Sequence, residues 1–172
     1  YDALGDVKVR LVTFSSKASE QGSAWMTVSE VKDVLDGLSS GGLTNYDEAL
    51  TDAIAAFGDS GKIVGAQNVA YFLSDGNPNQ PGGSEGINGA EETTWINFLK
   101  ANDVNSFALG FGAPGDVNQS AINPIAYNGV SETNTNGQVV TDLNLLTAAL
   151  VSTVTPPING NLKTDGGNKM GA

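Results

Sequence analysis

The chain has 172 residues, 40% of them hydrophobic and 16% charged, with a net charge of −11 and neither cysteine nor histidine, a composition that suits a folded globular domain better than a disordered chain. Without those two residue types there are no disulfides, zinc–thiolate sites, thiol nucleophiles or imidazole bases, so any metal is held by oxygen, as magnesium, calcium and manganese are. The acidic surface repels phosphate backbones, which argues against nucleic acid as a partner, and no apolar run approaches the roughly 18 residues of a membrane span.

In chain order, Val7, Val9, Leu11 and Thr13 alternate with Lys8, Arg10, Val12 and Phe14, the period of a strand with one better-buried face. A short second strand is expected over residues 23–27, joined to the first through a polar loop at 15–22. Residues 28–38 read as a helix with Val28, Val31, Val34, Leu35 and Leu38 on one side, broken by Gly41 and Gly42. The clearest helix follows: Tyr46, Ala49, Leu50, Ala53, Ile54 and Phe57 form a continuous apolar stripe. Thr44, three residues before Asp47, has the spacing of a helix cap, and Asp47 and Glu48 read as solvated first-turn carboxylates.

Residues 68–73 form a nearly unbroken apolar strand that ends in Ser74-Asp75-Gly76, a pattern expected to be covered on both faces. A loop rich in glycine and proline leads to a helix over 90–101, with Trp95, Phe98 and Leu99 inward, and then to an apolar strand over 104–111. Trp95 reads as core, whereas Trp25 is equally consistent with core or a binding surface. A helical piece over 117–127 is interrupted by Pro124, a short strand is expected over 138–141, and a last helix over 143–154 stops at Pro156-Pro157. Strands alternating with helices give an α/β, Rossmann-like fold with a mostly parallel sheet flanked by helices. The domain is expected over residues 1–156, and the polar, glycine-rich residues 157–172 read as a linker or tail.

In such sheets the ligand site lies beyond the carboxyl ends of the strands. Two segments bring oxygen-bearing side chains there: Gly41-Gly42-Leu43-Thr44-Asn45-Tyr46-Asp47, a glycine loop opening a helix, and Phe72-Leu73-Ser74-Asp75-Gly76-Asn77-Pro78. Two other matches do not hold. Gly82-Gly83-Ser84-Glu85-Gly86 fits a nucleophile elbow but has no preceding strand and no histidine partner. Asp75, Asn77 and Asn79 begin like an EF-hand loop, yet Gln80 stands at the required glycine and Gly86 at the bidentate glutamate, so only a looser calcium contact is left open.

The glycine-pair, threonine and helix pattern at residues 41–50 resembles the second metal motif of von Willebrand factor type A domains, and Leu73-Ser74-Asp75-Gly76 resembles their third. Asn123-Pro124-Ile125-Ala126 resembles a less specific family feature, and the likeness spans residues 4–154. The resemblance implies a metal-ion-dependent adhesion site for magnesium or calcium, with Thr44 giving a hydroxyl ligand and Asp75 a carboxylate acting directly or through water. It also implies a protein or surface partner whose own carboxylate completes the shell. The chain departs from the pattern in one large respect: the Asp-x-Ser-x-Ser loop that supplies most of the ligands in the family occurs nowhere in it. Thr44 and Asp75 alone are too few to hold either ion firmly, since magnesium takes six oxygens and calcium six to eight.

The first strand and helix of the family are therefore expected upstream, over roughly 20 to 40 residues at typical element lengths. In the family that strand lies between the strands at 7–14 and 68–73, so its absence exposes two apolar edges to self-association. Residues 159–172, the composition and the absent cysteines resemble large secreted bacterial adhesins of the RTX type, which implies a place at the bacterial cell surface. The leading expectation is a metal-dependent adhesion module. The alternative is a structural or spacer module without a working metal site. An enzyme is not expected, because the chain has no P-loop, no dinucleotide fingerprint and no histidine machinery.

Overall fold

The computed structural model describes residues 6–83 and 86–153. In chain order these form β1 (Val9–Phe14), β2 (Ala18–Met26), α1 (Val28–Asp36), α2 (Tyr46–Ala56), β3 (Asn68–Ser74), α3 (Gly89–Ala101), β4 (Val104–Phe111), α4 (Gln119–Ile122), β5 (Tyr127–Asn128), β6 (Thr133–Asn134), β7 (Gln138–Val140) and α5 (Leu146–Ser152). Short 3-10 turns at Asn123–Ile125 and Leu143–Leu145 complete them.

Local chemistry explains where the helices start. Thr27 caps α1 and Asn88 caps α3, each in a reciprocal box with a glutamate three residues on, Glu30 and Glu91. At α2 the cap is Asn45, whose Oδ1 accepts from the Glu48 amide at 3.1 Å, not Thr44 as the spacing suggests. Asn45 is placed directly before the first helical residue and is 5% exposed, so its amide side chain takes the orphan donor and leaves the Thr44 hydroxyl free of that duty. Glu48 is not a purely solvated carboxylate either, because the turn after β1 brings the Ala18 amide to its Oε2 at 3.0 Å.

The apolar stripe of α2 organises the core. Tyr46, Ala49 and Leu50 pack with Phe72 of β3, Trp95 and Leu99 of α3, Val104 and Ala108 of β4, and Ile122 and Ile125. Pro124 ends the short helix α4, and the Ile125 carbonyl that follows is buried. Two donors satisfy it, Trp95 Nε1 at 3.0 Å and Ser106 Oγ at 2.7 Å. Trp95 is thus a core residue, as read from the sequence. Trp25 packs edge-on against Phe57, with ring centroids 5.9 Å apart.

The sheet is mixed. β3 and β4 run parallel, in register from Asn68 and Val104 to Ser74 and Gly110. The other edge of β4 is shared by β7, parallel along Leu109 to Phe111, and by β5, antiparallel at Asn105 and Ser106. β5 and β6 form a small hairpin that carried no expectation. β1 and β2 form a separate antiparallel ribbon, and β1 does not pair with β3.

Two expectations about burial need correction. β1 has no better-buried face, being half-buried along its whole length, because a two-stranded ribbon leaves it only partial cover. β2 also begins earlier than expected, at Ala18, because its polar residues face solvent and give no apolar alternation to read. Arg10 holds the ribbon in place, donating to Asp59 Oδ2, Glu20 Oε2 and the Gln21 carbonyl at 2.7 Å each. β3, in turn, is not covered on both faces. Phe72 and Ser74 are buried beneath the helices, but Val69 and Leu73 on the other face remain 40% and 39% exposed. That face is met by Phe107, stacked on Tyr71, and by Thr153, bonded to the Tyr71 hydroxyl at 2.8 Å. Residues 157–172 and the stop at Pro156-Pro157 lie outside the described residues, as does Ser84-Glu85 of the elbow-like match.

Candidate functional site

Four loops meet at the end of the molecule where β3 and β4 finish: the turn after β1, the glycine loop before α2, the loop after β3 and the loop after β4. The glycine loop approaches the turn after β1 so closely that only glycine fits. Gly42 has φ +95°, and a Cβ there would lie 3.0 Å from both Cβ and Oγ of Ser15. Ser16 adds a bond, its Oγ accepting from the Leu43 amide at 3.0 Å.

Thr44 lies between this loop and the turn after β3. A Cβ built on Gly76 would be 3.2 Å from Thr44 Oγ1, so the threonine hydroxyl sits against the residue that follows Asp75. Thr44 is half-buried and Asp75 exposed at the rim. The turn itself is held from below: Ser74 Oγ and Tyr46 Oη both donate to the Gly76 carbonyl, at 2.9 and 2.8 Å. Burial pushes the Tyr46 hydroxyl above its ordinary value; the Asp75 carboxylate pushes the same way and a hydrogen bond with Ser74 opposes it. The proton stays on Tyr46, where it serves the turn.

The residues read from the sequence as a pair, Thr44 and Asp75, are therefore brought to one rim and not to opposite sides of the molecule. An oxygen-coordinated divalent ion needs at least six donors. Thr44 and Asp75 bring two oxygen-bearing side chains to this rim, and among the described residues no group of three or more aspartates and glutamates converges to complete such a shell. The donor set present fits such an ion in part. Asn77 and Asn79, which mimic an EF-hand start, spend their Oδ1 atoms on amides: Asn77 accepts from Asn118 N at 2.6 Å and Asn79 from Thr44 N at 2.9 Å. Sequence reasoning missed that role, because the partners lie 35 and 41 positions away. Ser16 was missed because its partner Leu43 is distant in sequence, and Asn45 because the adjacent Thr44 offered the same cap chemistry.

Helices on a sheet of parallel and antiparallel strands, with loops converging beyond the strand ends, define a Rossmann-like α/β module. The family model for the von Willebrand factor type A domain matches residues 5–149, and the chain belongs to that family, one of protein-interaction modules. No curated protein matches it. Among solved structures it is similar to an uncharacterized membrane spanning protein from Vibrio fischeri, at 19% identity over 84% of this chain and 74% of that one, with a TM-score of 0.35. No helix among the described residues is long and apolar enough to cross a membrane.

Proposed function

We propose that the chain is a non-catalytic, metal-dependent ligand-binding module of a secreted bacterial surface protein, attaching to a protein or surface partner through a carboxylate. The observation that supports this reading is the Thr44 hydroxyl set against Gly76, the residue after Asp75, while Asn45 and not Thr44 caps α2. A divalent ion at this rim would supply a positive centre to which a partner's carboxylate binds. Thr44 and Asp75 would hold it from below, and the acidic chain would draw cations toward it. With only these two side chains as donors, affinity for the ion alone is expected to be weak, strengthening when a carboxylate ligand adds oxygens.

The test is a titration of the isotopically labelled full chain with manganese(II), reading paramagnetic broadening of backbone amides. Broadening centred on Thr44, Asp75 and Gly76, abolished by Asp75→Asn and reduced by Thr44→Val, is the expected result. Broadening spread over the acidic surface and indifferent to both substitutions would instead describe a structural module.

A further inference from the structure

The loop after β3 is stitched to its neighbours on both sides by the two asparagines that follow Asp75. On one side Asn79 Oδ1 accepts from the Thr44 amide at 2.9 Å, while the Thr44 carbonyl accepts from the amides of Asn79 and Gln80 at 2.9 and 3.1 Å. A parallel bridge between Asn45 and Gln80 extends the same seam. On the other side Asn77 Oδ1 accepts from the Asn118 amide at 2.6 Å, and its Nδ2 donates to the Gly115 carbonyl at 3.1 Å. The two side chains, with one residue between them, therefore tie Asp75's loop to Thr44 and to the loop after β4. Pro78 between them is buried, which anchors the segment from which both reach out.

We infer that Asn77 and Asn79 are positioning residues of the rim, setting the separation and orientation of Thr44 and Asp75; their importance for binding rests on the cation-site reading given above. The chemistry of the two seams differs. Asn79 uses only its carbonyl oxygen, so aspartate can replace it. Asn77 uses an acceptor and a donor at once, so aspartate would keep the bond from Asn118 and lose the one to Gly115. An asparagine that merely fills space would show no such asymmetry.

The experiment compares the full chain with Asn79→Ala, Asn79→Asp, Asn77→Ala and Asn77→Asp. It reads hydrogen exchange at the Thr44 and Asn118 amides and the manganese(II) broadening at Thr44 and Asp75. In Asn79→Ala the Thr44 amide is expected to exchange about three- to tenfold faster, the range that loss of one net hydrogen bond allows. Manganese affinity at the rim should fall with it, and Asn79→Asp should restore both. In Asn77→Ala the Asn118 amide should lose protection and rim affinity should fall, with Asn77→Asp recovering the amide protection alone. Unchanged exchange at Thr44 in Asn79→Ala and at Asn118 in Asn77→Ala would overturn the inference. So would a positive manganese response at the rim that none of the four substitutions alters. A wild-type chain with no response at the rim would sink the cation-site reading instead, and the exchange arms would still decide whether the two asparagines hold the loops.

Discussion

At the scale of single residues, the rim depends on which side chain caps α2. Asn45 takes the Glu48 amide, and the Thr44 hydroxyl is left facing Gly76. Gly76→Ala tests that contact directly. The added methyl would press on Thr44 Oγ1 at 3.2 Å, so manganese binding at the rim is expected to weaken while thermal stability changes little. A drop in melting temperature with unaltered binding would argue against it. Asp47, in the first turn of α2, has a buried Oδ1 with no hydrogen-bond partner, and burial, followed by the charge of Glu91, pushes its carboxyl above the usual aspartate range. A carboxyl raised in the folded state favours folding only where it is protonated, and that advantage is lost as pH climbs through the raised value. Asp47→Asn should therefore stabilise the chain at neutral pH and have no effect near about pH 3. Glu30 behaves oppositely: its bonds from the Thr27 backbone and hydroxyl hold its carboxyl below the usual range. Glu30→Gln should lower stability at neutral pH and converge with wild type in acid. Denaturant titrations at both pH values check the two signs.

At the scale of elements, the helices and the two long core strands were legible because burial imposes a period. The stripe from Tyr46 to Phe57 follows one buried helix face, and the run at residues 68–73 was legible from its unbroken apolar sequence, although only Phe72 within it is buried. The start of β2 was not legible, since its exposed polar residues carry no period, and the β5–β6 hairpin consists of strands too short to show one. The cap of α2 was misread by one position, because threonine and asparagine both cap well and only the fold decides between adjacent candidates. Asn45→Ala is expected to cost about 1 kcal/mol of stability, and Thr44→Val distinctly less, in equilibrium unfolding. The reverse order would restore Thr44 as the cap. Of the candidate site, Thr44 and Asp75 were legible as a pair through family likeness, whereas the seams made by Asn77 and Asn79 join residues 35 and 41 positions apart, which no local pattern reveals.

At the scale of the whole molecule, the ribbon β1–β2 and the sheet containing β3 are separate, and β3 is the end strand of the described sheet, with Val69 and Leu73 well exposed on one face. Apolar edges of this kind recruit other strands. The chain is expected to self-associate with rising concentration in sedimentation velocity, and Val69→Lys with Leu73→Lys to shift it toward monomer without loss of folding; a wild-type chain that stays monomeric throughout would count against an active edge. The central claim, however, concerns the rim. Its most direct measurement is an anomalous difference map from crystals of the chain soaked in manganese(II) with a carboxylate ligand. A peak within about 2.0–2.6 Å of Thr44 Oγ1, with Asp75 reaching it directly or through one water, is the predicted result. Peaks only at scattered surface carboxylates, with nothing between Thr44 and Asp75, would contradict it.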